Sequence, residues 1–284
     1  MPEPRPPLPQ GMPAAASRPL HRDNVAVVIP ALNEALRIRD VVSGALRHCA
    51  QVIVIDDGSD DGTAERIADL PVTLLRHEAR QGKGASLRDG FHEALQRGCA
   101  GVLTMDGDGQ HSPDDIPRLI GAAQRHPGCI IIGARLRKRS QQPAYRRFAN
   151  EFGDWGIAWA TGYQVADSQS GQRLYPAAVA ALGDVPGEGF VFETQILISA
   201  AQQLGTRCVS VPIESRYKSV HTQEQFRPSH FKPWRDFSRI TWHIVAQAFR
   251  PWSMPAMYRR IRANPAVIDD PEGEFGTVFP HPEL

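Results

Sequence analysis

Five short apolar runs, separated by segments of helical length, limit what this 284-residue chain can fold into. They are Val25–Ile29, Val52–Ile55, Val72–Leu75, Val102–Met105 and Cys129–Ile132, each four or five residues long and mostly Val, Ile or Leu. Runs with no polar alternation suit strands covered on both faces of a parallel sheet, because successive side chains point to opposite faces. The segments between them, near 34–48, 60–69, 84–97 and 114–126, have helical length. Ser112-Pro113-Asp114-Asp115 reads as a helix start: a capping hydroxyl, a proline at the first position, then acids that the helix dipole favours. This βαβαβαβαβ order predicts an α/β fold on a doubly wound, mainly parallel sheet.

In such sheets ligands bind beyond the carboxyl ends of the strands. The first run ends in Pro30-Ala31-Leu32-Asn33-Glu34, the second in Asp56-Asp57-Gly58-Ser59 and the fourth in Asp106-Gly107-Asp108. One acid at a strand end is often only a helix cap; three acidic ends converging on one edge are not explained that way. Asp106 and Asp108, one residue apart, fall on the same side of an extended chain. Two hard oxygen donors there can hold Mg²⁺ or Mn²⁺ and leave coordination positions for substrate phosphates. An EF-hand loop is excluded: from Asp106 its sixth position would be His111, and from Asp57 its twelfth would be Ala68.

Other chemistry is excluded or left open. Gly82-Lys83-Gly84 lacks the third glycine of a dinucleotide fingerprint and the Ser or Thr of a P-loop. Lys83 opens a helix there, and it reads either as a plain helix start or as a cation for a phosphate or base. Cys49, Cys99, Cys129 and Cys208 are scattered, which argues against a zinc site or a disulfide framework and suits a reducing compartment. A formal net charge of +1 implies no bulk attraction to nucleic acid. Residues 1–22, with seven prolines in the first twenty, read as a disordered leader without a signal-peptide core. Residues 263–284 read as a flexible acidic tail or a docking strand, and no run reaches the ~18 apolar residues of a membrane span.

Taken in order, these residues resemble the family 2 glycosyltransferases of the GT-A fold, and among them the polyprenyl-phosphate (dolichol-phosphate) mannosyl- and glucosyltransferases. The likeness covers about 24–240, with the catalytic domain expected over 23–235. It rests on Val28-Ile29-Pro30-Ala31-Leu32-Asn33-Glu34, Val54-Ile55-Asp56-Asp57-Gly58-Ser59, Asp106-Gly107-Asp108-Gly109-Gln110-His111 and Asp167-Ser168-Gln169-Ser170-Gly171-Gln172-Arg173. It implies a Mg²⁺ or Mn²⁺ ion on Asp106, Asp108 and Gln110. A GDP- or UDP-hexose would lie near Pro30, Leu32, Glu34, Ile55, Asp57, Lys83, Gly107, Asp108 and Arg216. The acceptor, a polyprenyl phosphate, would lie near Arg135, Arg146, Asp167, Ser170 and Arg173. Gln172 stands where the family usually has an aromatic, and Val191-Phe192 stands where some lipid-phosphate members carry a lysine.

The reaction so implied is displacement at a sugar's anomeric carbon, with a nucleoside diphosphate leaving. Asp106, Asp108, Arg135, Arg146 and Glu193 are the catalytic candidates. An anionic phosphate acceptor needs only orientation, and Arg135, Arg137, Lys138, Arg139, Arg146 and Arg147 read either as cations suited to it or as a solvated basic loop. A hydroxyl acceptor on a glycan, lipid or secondary metabolite needs a base, and Glu193 is the candidate, its other reading being a helix-surface acid. An inactive homologue serving as a binding subunit is a third reading. Residues 236–262 read as an amphipathic segment. Phe237, Ile240, Ile244, Val245, Ala248 and Phe249 share one helical face, which suits either a membrane interface or packing on the sheet. The expected location is cytoplasmic, with attachment to the cytoplasmic face of the inner membrane if the interfacial reading holds.

Overall fold

The computed structural model describes residues 18–136, 144–185, 190–214, 254–271, 273 and 278–279. The apolar runs become β1 (Val25–Ala31), β2 (Gln51–Asp56), β3 (Thr73–Arg76), β4 (Gly101–Thr104) and β5 (Ile130–Ala134). Between them lie α1 (Ile38–Leu46), α2 (Lys83–Gln96) and α3 (Ile116–Arg125). A nine-stranded sheet runs β3-β2-β1-β4-β6-β5-β7-β8-β9, where β7 is Cys208–Pro212, β8 is Ala266–Ile268 and β9 is Val278–Phe279. Strands β1 to β5, β7 and β8 run parallel, whereas β6 (Arg173–Pro176) is antiparallel to both its neighbours. The sheet also runs antiparallel where β9 closes the edge on β8.

Both faces of the sheet are apolar, which is why the strand runs show no alternation. Val25, Val27 and Ile29 pack with Ile38, Val41 and Val42 of α1 and Leu119 and Ala122 of α3. Ala26 and Val28 point the other way, toward Leu87, Phe91 and Ala94 of α2 and Phe192 and Ile196 of α6 (Phe190–Ser199). Each fully buried Val, Ile or Leu contributes about 1.5–3 kcal/mol by leaving water. Pro30 lies past the last β1–β4 pair, Val28–Thr104, so its missing N–H removes no rung there. The helix start is as read: Ser112 accepts from the Asp114 amide, and Pro113 and Asp115 form one 3₁₀ turn with Asp114 before α3.

Two elements differ from the sequence reading. The segment near 60–69 holds only a 3₁₀ turn, Glu65–Ile67, in place of a helix. Asp61 accepts from the Thr63 and Ala35 amides, and Gly62 takes a left-handed φ of 87°, so side-chain bonds and a turn displace helical ones. Strand β6 is the second. Arg173-Leu174-Tyr175-Pro176 is short and of mixed polarity, and it becomes a strand because β4 and β5 leave a slot between them. At the C-terminal side, α7 (Met254–Ala263) is helical, while 237–249 lie outside the described residues. Residues 266–268 and 278–279 of the acidic tail are the edge strands β8 and β9.

Helix α2 approaches the sheet closely at Gly90, where a Cβ would fall 2.3 Å from Val28 Cγ1 and 2.9 Å from Ile55 Cδ1. Gly90→Ala gains about 1 kcal/mol of helix propensity and loses about 1–3 kcal/mol to overpacking. Chemical denaturation should therefore show net destabilisation, and Gly90→Val should be worse than Gly90→Ala.

Candidate active site

The strand order reverses between β1 and β4: β2 and β3 extend to one side, and β6, β5 and β7 to the other. The crevice beyond the carboxyl ends of β1 and β4 is where such sheets take ligands. Three loops meet there, each held by side-chain to backbone bonds.

The loop after β1 is laced to the loop after β2. Asn33, in the left-handed region at φ 58°, donates its amide to Ser59 Oγ at 2.9 Å, and its Oδ1 accepts from the Asp60 amide at 3.0 Å. The Glu34 amide donates to Thr63 Oγ1 at 2.8 Å. This lacing presents Glu34 half-buried at the crevice, where burial and the neighbouring Asp108 push its carboxyl up to about 7. Leu32 and Pro30 stand beside it, each partly exposed.

Asp57, expected at the base or ribose, is tied into the neighbouring loop. It is buried and accepts from the Gln81 and Gly82 amides at 2.7 and 2.8 Å, with His77 Nδ1 at 2.8 Å. The other ring nitrogen of His77 faces Asp89 at 2.9 Å. Asp57 therefore pins the loop that leads into α2. The Ile55 side chain is fully buried among Val28, Leu87 and their neighbours, at the end of β2.

With that loop pinned, Lys83 at the start of α2 reaches across the crevice. Its Nζ lies 2.7 Å from Asp106 Oδ1 and 3.2 Å from Glu193 Oε2. Burial pushes the Asp106 carboxyl up, but Lys83 and His111 outweigh it and hold Asp106 below the usual carboxylate range. Asp108 goes the other way: burial and the Asp106 charge raise it, although its Oδ1 accepts from the Gln110 amide at 2.9 Å. Gly107 between them is buried, and a Cβ there would lie 3.4 Å from Ile38 Cδ1 and from the Pro30 carbonyl. Glu34, Asp106 and Asp108 thus share one region: Asp108 and Asp106 raise the cost of ionising Glu34, and Asp106 that of Asp108, which a divalent cation would relieve. Among the described residues no three His, Cys, Asp or Glu side chains already surround one point. Two carboxylates nevertheless suit Mg²⁺ or Mn²⁺, which complete their shells with phosphates and water.

The turn into β6 forms the fourth wall. Its antiparallel run starts opposite the end of β4, with Arg173 paired to Thr104, so Gly171 lies over the metal-motif acids. A Cβ on Gly171 would fall 2.6 Å from Asp106 Oδ2 and 3.2 Å from Lys83 Nζ, so any larger residue there would push on both side chains. Arg135 and Asp167 form a two-pronged pair at 2.7 and 2.6 Å, and the Arg135 amide donates to the same carboxylate. Asp167 takes a φ of 55°, held by Asp154 of α4 (Ala144–Thr161), which accepts from the Asp167 and Ser168 amides. Burial and Asp167 push the Asp154 carboxyl up to about 7.

Ser170 and Arg173, expected near the acceptor, lie in the turn into β6 and at its start. Both are buried, and the Arg173 guanidinium donates to the carbonyls of Ser168, Ser170 and Glu193, each at 2.7 Å. It shapes the turn and carries Glu193 toward Lys83. Gln172, in the usual aromatic position, is also buried and donates to the Ser112 carbonyl. The Arg146 side chain, Arg137, Lys138, Arg139 and Arg216 lie outside the described residues, while Gln110 is placed beside Asp108.

The sequence reading did not select His77, Asp154, Gly171 or His111. Gly171 carried a signal, a glycine within the Asp167–Arg173 motif, and His111 closes the metal motif. His111 is 5% exposed, burial lowers it to about 4, and its Nδ1 lies 3.9 Å from Asp106 Oδ2 with no hydrogen-bond partner. His77 and Asp154 are single polar residues with no local pattern to mark them.

The profile of the family described as Glycosyl transferase family 2 matches residues 26–178. The chain is 30% identical over 203 residues to the undecaprenyl-phosphate mannosyltransferase of Micrococcus luteus, covering 66% of this chain and 82% of that one. It is 29% identical to the polyprenol monophosphomannose synthase of Mycolicibacterium smegmatis, covering 70% and 79%. In fold it matches the glucosyl-3-phosphoglycerate synthase of Mycobacterium tuberculosis in complex with UDP, with a TM-score of 0.57 at 21% identity, covering 81% of each chain. The mannosyl-3-phosphoglycerate synthase of Rubrobacter xylanophilus matches with a TM-score of 0.59 at 19% identity, covering 78% and 72%. The fold is thus the GT-A arrangement, and the chain belongs to glycosyltransferase family 2.

Proposed function

We propose that this glycosyltransferase moves a hexose, with inversion, from a nucleoside diphosphate sugar to a polyprenyl phosphate, and that it needs a divalent cation to do so. The observation that carries the reading is the gathering of Asp106, Asp108 and Glu34 at the strand-order reversal, with Lys83 reaching into the same cluster. Asp106 and Asp108, with Gln110 beside them, would hold Mg²⁺ or Mn²⁺, which when bound supplies charge neutralisation for the leaving diphosphate. Relatives named for undecaprenyl phosphate, dolichyl phosphate and polyprenol support the acceptor class.

The chain's own residues divide the work. Glu34, Leu32 and Pro30 border the nucleoside side of the crevice. Lys83, a flexible point charge, orients the diphosphate. Arg135, whose Nε and Nη2 hold Asp167, would add positive charge on the side an acceptor phosphate takes. A phosphate acceptor already carries its nucleophilic charge, so no base is required. The second reading, a hydroxyl acceptor, is favoured by one observation: the Glu193 carboxylate stands 3.2 Å from Lys83 within the cluster, placed to take a proton. No described helix is long and apolar enough to cross a membrane; contact with the lipid acceptor at the cytoplasmic face of the membrane is part of the proposal.

Purified protein supplied with UDP- or GDP-hexoses, Mg²⁺ or Mn²⁺ and polyprenyl phosphate should form lipid-linked sugar; product only with hydroxyl acceptors selects the second reading. Asp108→Ala should lower kcat/KM by about 10²-fold or more, since losing a metal ligand removes several kcal/mol of transition-state stabilisation. Its melting temperature should stay close to wild type, and near-normal turnover would refute the metal role.

Glu34 makes a separate prediction for stability. Its ordinary value is 4.5 and its folded value about 7, so between these the folded chain keeps a proton that the unfolded chain has released. The stabilisation is full below about 4.5 and is lost as pH rises through about 7. Thermal midpoints should show this decline, and Glu34→Gln should flatten it.

A further inference from the structure

We propose that Lys83 and the divalent cation compete for Asp106, and that the nucleotide diphosphate, by drawing Lys83 away, makes metal binding and nucleotide binding mutually reinforcing. The inference rests on the metal reading above and adds to it a residue that sets when the metal binds.

The geometry leaves little room for both cations in their observed contacts. Lys83 Nζ is 2.7 Å from Asp106 Oδ1, and Glu193 steadies it from the far side at 3.2 Å. The turn into β6 closes the other flank, where even one carbon on Gly171 would lie 2.6 Å from Asp106 Oδ2. His111 Nδ1 stands 3.9 Å from that same oxygen. A dication on Asp106 would therefore sit within a few ångströms of an ammonium on the same carboxylate. Coulomb repulsion between +2 and +1 at about 5 Å is worth at least tenfold in binding even at the dielectric of water.

Lys83 can yield without disturbing the fold. Its main chain is held through the adjacent Gly82, whose amide donates to Asp57 at 2.8 Å and whose φ of 95° fixes the turn. Beyond that anchor its four-carbon stem is flexible and ends in three rotatable donors. A diphosphate entering beside Asp106 offers those donors anionic oxygens, so the ammonium changes partner and its repulsion of the metal becomes attraction shared through the phosphates. By linkage, whatever factor the nucleotide adds to metal affinity the metal adds to nucleotide affinity.

Mn²⁺ binding to the full chain can be followed by electron paramagnetic resonance, with and without UDP or GDP, in wild type, Lys83→Met, Lys83→Gln and Lys83→Arg. Wild type should bind Mn²⁺ weakly alone and about tenfold or more tightly with the nucleotide it accepts. Lys83→Met and Lys83→Gln should bind Mn²⁺ about tenfold tighter than wild type without nucleotide, and the nucleotide's enhancement should shrink by about the same factor, leaving the part due to phosphate coordination. Lys83→Arg should keep the wild-type pattern. Wild-type Mn²⁺ affinity in folded Lys83→Met and Lys83→Gln, or a wild-type enzyme whose Mn²⁺ affinity neither nucleotide changes, would overturn the competition while leaving the metal reading intact. Failure of every variant to bind Mn²⁺ under any condition would overturn the metal reading and this inference with it.

Discussion

The crevice depends on β1 and β4 lying side by side while their chain connections leave in opposite directions. Where two neighbouring strands send their loops apart, main-chain groups and side chains at the carboxyl ends face a gap instead of one another. Glu34 leaves β1 on one side of that gap and Asp106 follows β4 on the other. The mutual effects of Glu34, Asp106 and Asp108 on ionisation follow from that placement. Sheet burial supplies the stability to hold such a cluster together, since both faces are covered by apolar side chains.

Around the gap, acids with similar sequence settings take different work, decided by what they hydrogen-bond. Asp57 and Asp154 each accept two backbone amides and so act as loop anchors. Asp61 laces the loops after β1 and β2 together. Asp106 meets a lysine ammonium, and Asp108 caps only the Gln110 amide among the contacts described, which leaves these two best suited to a cation and its phosphates. Arg173 shows the same division among the bases. Spent on three carbonyls, its guanidinium is part of the scaffold, whereas Arg135 pairs side chain to side chain with Asp167 near the crevice.

Much of this was readable in the chain. The five apolar runs lie within a residue or two of β1 to β5, because burial on both faces leaves an unbroken hydrophobic signature. The Ser112 cap was readable because its chemistry is local. Strand β6 was not, since Arg173-Leu174-Tyr175-Pro176 carries no two-faced pattern and owes its conformation to hydrogen bonds from β4 and β5. The apparent helix near 60–69 failed for a related reason: Asp61 and Thr63 bond amides of the neighbouring loop after β1, which no helical periodicity records.

By itself the sequence determined the order of strands and helices, the two-faced core and the place of Asp106 and Asp108 at a strand end, because each is written in a short run of residue types: unbroken apolar stretches, a local cap and the acids that follow a strand. Which acids would face a ligand and which would be consumed as anchors was decided only by the tertiary structure. Asp57 and Gly82, like Lys83 and Glu193, are brought together by packing between elements distant in sequence, and hydrogen bonding across that distance leaves no periodic trace for a reader of the chain to find.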